Sequence, residues 1–66
     1  MQRVKERSRY WSVELDEDVE IVPRGLVEDP DDYVLYVAGT FMVSFKYLEE
    51  IEEYLGRLFV LGGNIV

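Results

Sequence analysis

Hydrophobic and polar positions alternate from Tyr10 onward: Trp11, Val13 and Leu15 fall on one side of an extended chain, and Tyr10, Ser12 and Glu14 on the other. That period of two predicts a half-buried strand over 10–15. The acidic triplet Asp16-Glu17-Asp18 then forms a polar turn. Val19-Glu20-Ile21-Val22 predicts a second strand, with Pro23-Arg24-Gly25 ending regular pairing. The two strands read as an antiparallel hairpin. Leu26 and Val27 either extend the second strand past a bulge or dock a loop on the core. Asp29-Pro30-Asp31-Asp32 is a turn, because Pro presets φ and Asp carboxylates accept hydrogen bonds from nearby backbone N–H groups.

The run from Tyr33 to Phe45 is the most apolar part of the chain and rich in β-formers. It is too long for one ordinary strand. Gly39, inside Ala38-Gly39-Thr40, can take the positive φ of a tight turn, which splits the run into strands 33–38 and 40–45; one bulged strand is the rival reading. Ser44 is a candidate N-cap for a helix over 46–58, where Leu48, Ile51, Leu55 and Leu58 recur at the helical period beside Tyr47 and Tyr54. Glu49, Glu50, Glu52 and Glu53 occupy the opposite face, early in the helix where negative charge suits its dipole. The remainder, to Asn64-Ile65-Val66, reads as a short terminal strand or a docked tail.

These elements predict an α+β domain: a four-stranded antiparallel sheet followed by one amphipathic C-terminal helix, with a short terminal strand or tail. Residues 1–9 form a basic flexible arm before a single domain over 10–66. One helix covers one sheet face, yet the strands over 33–45 are apolar on both. A homodimer through the open face or edge, with Val34, Tyr36 and Met42 at the interface, would cover the second.

Composition narrows the chemistry. With 66 residues the chain buries only about 60% of the surface its unfolded form exposes. Disulfides, metals or partner subunits commonly make up such a deficit. The absence of Cys and His closes the first and removes the usual transition-metal ligands. It also removes the parts of a catalytic triad, and Lys5 and Lys46 show no sign of the desolvation that an amine nucleophile needs. Gly62-Gly63 is no phosphate loop, having neither a following helix nor a Lys. We therefore expect a binding module rather than an enzyme, without cofactor or bound metal. The acidic turns at Asp16-Glu17-Asp18-Val19-Glu20 and Asp29-Pro30-Asp31-Asp32 have hard-cation ligand types, but no spacing of a known calcium loop. No apolar run reaches the length of a membrane span and no signal-peptide core follows the charged start, so a cytoplasmic protein is expected. A single Asn and a single Gln beside many charges match the bias of proteins from hot environments.

The net charge of −7 conceals a polarity. Residues 1–9 hold four basic residues against one acidic, or +3, whereas residues 10–66 hold three against thirteen, or −10. Arg3, Lys5, Arg7 and Arg9, with Tyr10 and Trp11 behind them, are the residue types that neutralise phosphates and stack on unpaired bases. If the first strand extends backwards, these cations share a side with Trp11. Single-stranded nucleic acid is accordingly one candidate partner of such a dimer. The alternative is an acidic regulator that binds a basic protein surface, its glutamates imitating nucleic-acid phosphates in viral style.

Four strands followed by one helix, with Gly39 and Ser44 introducing Leu48, Ile51 and Leu55, is similar to the layout of the dimeric single-stranded-DNA-binding transcriptional coactivators, over about residues 10–58. That family's sheet is basic where it meets DNA. This body is acidic, so the resemblance implies a layout and no binding residue.

Overall fold

Sequences rich in Arg, Lys and Glu are good helix formers even where no apolar stripe is apparent. The computed structural model describes residues 2–26 and 28–65, and in it Gln2–Leu15 is a helix, α1. The expected strand over 10–15 is thus helical, and the basic residues assigned to an arm lie on the same helix. Asp16 ends it in a left-handed conformation, with φ 54°. Its N–H reaches the Val13 carbonyl at 3.3 Å and that of Glu17 the Ser12 carbonyl at 3.2 Å, the paired closure of a Schellman cap.

Three strands follow: β1 Val19–Gly25, β2 Pro30–Val37 and β3 Thr40–Phe45. They form an antiparallel meander in the order β1-β2-β3, so the sheet has three strands and not four. Pairing does not stop at Pro23: it continues through Pro23↔Tyr33 and Arg24↔Asp32 to a bulge at Gly25↔Pro30, which places Pro30, Asp31 and Asp32 within β2. The split of the apolar run at Ala38-Gly39 is present, with φ 53° and 78° at the two turn residues, the signs a type I′ hairpin requires. Met42 is the extra residue of a bulge, since Leu35 pairs with Val43 and Tyr36 with Phe41.

The second helix, α2, spans Leu48–Ile65. Ser44 lies in β3 and does not cap it. Tyr47 precedes the helix instead, and the Glu50 carboxylate accepts the Tyr47 N–H at 3.2 Å, one half of a capping box. The expected end at Leu58 and the terminal strand are both replaced by helix through Ile65; Val66, like Val27 and Met1, lies outside the described residues. Eighteen residues at the helical rise give a rod about 27 Å long.

α2 packs on one sheet face, and α1 runs along the β1 edge and closes the same core. Val4 of α1, Val19 and Ile21 of β1, Leu35 of β2, and Leu48, Ile51 and Leu55 of α2 are buried together, with Trp11, Leu15, Tyr33, Val37, Val43 and Phe45 against them. The α1-β1-β2-β3-α2 order, with a helix where the first strand was expected, departs from the coactivator layout, and the resemblance does not extend to the fold.

On the other face three rows cross the sheet: Arg24 with Asp32, then Val22 with Val34 and Ser44, then Glu20 with Tyr36 and Phe41. Val34, in the middle row, is buried at 4% exposure although no helix lies over it. Its flanks are the Arg24–Asp32 ion pair and the Tyr36–Phe41 edge-to-face ring pair, 6.3 Å between centroids.

The serine pair on the inner side of α1 explains how a helix so poor in apolar residues is held. Ser12 Oγ accepts the Val19 N–H at 2.9 Å and Ser8 Oγ accepts the Ile21 N–H at 3.1 Å. Each hydroxyl donates to the carbonyl one turn back, Ser8 to Val4 at 2.9 Å and Ser12 to Ser8 at 2.8 Å. β1 is an edge strand, and its outward N–H groups at 19 and 21 are satisfied by helix side chains. Two residues on, the outward position is Pro23, which has no N–H to satisfy.

Candidate functional site

A helix separates residues that a strand would have aligned. On α1, Arg3, Arg7 and Trp11 recur at four-residue spacing and turn toward α2. Arg3 approaches Glu49 at 3.8 Å, both exposed, and Arg7 Nε donates to Glu52 Oε1 at 2.6 Å. The same carboxylate oxygen accepts the Trp11 indole N–H at 3.2 Å. The Trp11 ring is half-buried against the core, and a Cβ built on Gly56 would touch it at 3.8 Å. Trp11 therefore packs between the helices and presents no open stacking platform. Tyr10 is exposed, meeting the Trp11 edge at 5.1 Å with the Arg7 guanidinium 4.4 Å over its ring.

Lys5 and Arg9 lie on the other side of α1. Among the described residues neither enters an ion pair. They line an open groove of about 440 Å³ between α1 and β1, with Ser8, Val4, Ile21 and Pro23 on its floor and Glu20 on its rim. The structure thus divides the six residues expected to contact nucleic acid: Arg3, Arg7 and Trp11 face α2, Lys5 and Arg9 the groove, and Tyr10 solvent.

The glutamates of α2 are divided as well. Glu49 and Glu52 face the arginines of α1, Glu50 caps the helix, and Glu53 pairs with Arg57 at 2.6 Å. Each glutamate of the stripe thus has a partner, and three of the four are paired with arginine. Among the described residues no three acidic side chains converge into a group able to hold a metal ion. On the open sheet face, Arg24 grips Asp32 with two parallel bonds of 2.8 and 2.5 Å. The hydrogen bond from Arg24 holds the Asp32 carboxyl below its ordinary pKa, and the same bond raises that of Arg24.

Of the residues expected at a dimer interface, Val34 is buried, Tyr36 is half-buried against Phe41, and Met42 is exposed at 38% beside Phe41 at 57%. A larger apolar surface lies elsewhere. The last fully buried residue of α2 is Leu55. Beyond half-buried Leu58, three consecutive residues, Phe59, Val60 and Leu61, are exposed at 46, 58 and 58%. Consecutive residues on a helix lie 100° apart, so these three make the segment apolar nearly all round. Val60 and Leu61 also line an almost wholly apolar depression with Gly56, bordered by Glu53 and Arg57. The molecule measures 40 Å along its longest axis against 19 and 18 Å across. Among the described residues no helix is long and apolar enough to cross a membrane. The signal for this surface was present in the apolar run 58–61, which continues the helical register of α2 and needs no strand to explain it.

No protein-family model matches the chain, and neither do the curated proteins nor the solved structures compared with it.

Proposed function

We propose that the protein is a non-enzymatic interaction module that presents the distal part of α2 to another protein. The supporting observation is the exposed sequence Phe59-Val60-Leu61 beyond the last buried turn of the helix. Such a segment gains from burial in a partner's apolar cleft, at about 25 cal/mol for each Å² removed from water. The charge of the chain selects the partner: at a net −7, a cleft with a basic rim is the complement.

The test compares immobilised wild-type protein with Phe59→Glu and Val60→Glu variants in extract with and without nuclease treatment. A partner held by the wild type and released by both variants supports the reading. Equal capture by all three, or a partner lost on nuclease treatment, refutes it.

Lys5 and Arg9 favour a second reading, contact with single-stranded nucleic acid along the α1 groove, because they are cations one helical turn apart without ion-pair partners among the described residues. Fluorescence anisotropy with labelled oligonucleotides at low salt decides it: salt-sensitive binding should disappear in the Lys5→Ala/Arg9→Ala double variant.

A further inference from the structure

The two edges of the sheet are treated differently. At β1, Ser12 and Ser8 of α1 occupy the outward N–H groups of Val19 and Ile21, and Pro23 removes the next. At β3 there is no counterpart. Backbone groups alternate along a strand: Val19 and Ile21 point away from β2, so Glu20 and Val22 bond to Tyr36 and Val34, and Leu35 and Tyr33 bond to Val43 and Phe45. Ser44 of β3 is left with its N–H and C=O directed away from the sheet. Among the described residues no side chain bonds to them. An edge left open beside one closed at three successive outward positions is an invitation to strand pairing.

From this asymmetry we propose that β3 pairs with β3 of a second copy of this chain, joining two sheets into one of six strands. An antiparallel pair about a two-fold axis is self-complementary, and an axis at Val43 sets Ser44 of each copy against Met42 of the other. The bulge at Met42 confines regular pairing to this short stretch.

Charge admits a second copy at this edge. Each chain has a net charge of −7, so copies repel one another over most approaches. Thr40–Phe45 contains no charged residue. Beside it, in the groove between Phe45 and α2, Glu50 and Glu53 stand with Arg57, and Lys46 follows the strand. Both signs therefore flank the edge, and a two-fold axis brings acid toward base. Phe41 and Met42, exposed on the free chain, belong to this same strand.

The test is molar mass by light scattering from micromolar to near-millimolar concentration, on wild type and Ser44→Pro. Proline at an outward position removes the donor without breaking the β2–β3 ladder. Wild type should rise to twice 7.8 kDa. Ser44→Pro should keep its circular dichroism and weaken association by about tenfold or more, two symmetry-related donors having been lost. Hydrogen exchange at the wild-type Ser44 amide gives an answer even if the variant misfolds: it should slow as concentration rises. A wild type that stays at 7.8 kDa throughout overturns the proposal, as does a dimer whose Ser44 amide exchanges as fast as in the monomer. Phe59→Glu should leave the dimer intact, so failure here is separable from failure of the partner-binding reading.

Discussion

The hydroxyl of Ser12 accepts the backbone N–H of Val19 at 2.9 Å while its own proton goes to the Ser8 carbonyl at 2.8 Å, so one side chain ties the start of β1 to α1. Val19 is buried at 3% exposure, where water cannot readily replace the serine. Ser12→Ala should therefore cost about 1–2 kcal/mol, mostly from the stranded N–H. Urea unfolding measures the loss, and faster exchange at the Val19 amide locates it. Unchanged stability with unchanged exchange would show that the contact contributes nothing.

Glu52 joins α1 to α2 through two donors, Arg7 and Trp11. Glu52→Ala should destabilise by about 1–2 kcal/mol, because an indole N–H and a half-buried guanidinium lose one acceptor together. Glu52→Gln keeps an oxygen for the indole and should cost less. Trp11 is the sole tryptophan, so its fluorescence reports the change directly. Equal spectra in wild type and Glu52→Ala would argue that the indole does not need this bond.

Two glycines with positive φ should respond differently to substitution. A Cβ at Gly25, φ 99°, would lie 2.9 Å from Asp31 Oδ2 and 3.0 Å from the Asp31 backbone nitrogen. Gly25→Ala adds that clash to the left-handed strain and should cost about 1–3 kcal/mol. At Gly39, φ 78°, a Cβ meets nothing within 4 Å, and strain alone, about 1 kcal/mol, is the expected cost. Its neighbour Ala38 already bears such strain at φ 53°. Ala38→Asn, making the favoured Asn-Gly turn, should stabilise by up to about 1 kcal/mol, read as a raised urea midpoint.

The Arg24–Asp32 pair makes stability depend on pH in a known direction. Because the hydrogen bond from Arg24 depresses the Asp32 pKa in the folded chain, the unfolded chain binds the proton more readily. The contribution is complete above the ordinary Asp range, near about 4, and is lost as pH falls through the lower folded value. Asp32→Asn should remove this part of the acid limb in a pH series of urea midpoints, leaving the neutral-pH slope alone. An identical acid limb in the variant would show that other carboxylates govern it.

How much was legible in the sequence depends on what each element packs against. The α2 stripe Leu48, Ile51, Leu55 and Leu58 meets a layer of side chains, so its apolar spacing is plain. The two strands divided at Ala38-Gly39 were readable for the same reason. The inner side of α1 meets the rim of β1, where hydrogen-bond partners are wanted, and so Ser8 and Ser12 stand where apolar residues would signal a helix. What remained, Trp11, Val13 and Leu15, imitates the period of a strand. That single misreading gave a fourth strand and placed Arg3, Lys5, Arg7, Arg9 and Trp11 on one side. Pro23 misled in the opposite sense: it reads as the end of pairing, yet it occupies the outward position of an edge, where its missing N–H costs the ladder nothing. The ion pairs across the helices were out of reach, since they need the relative placement of segments some forty residues apart.

The serine seal on β1 also decides what a shortened chain would do. Without residues 2–15 the sheet would have two open rims instead of one, and a sheet able to pair at both rims can add copies end to end without closing. The proteolytic loss of one helix would then change the material from a dispersed protein to a growing fibre, visible as turbidity that increases with time and concentration.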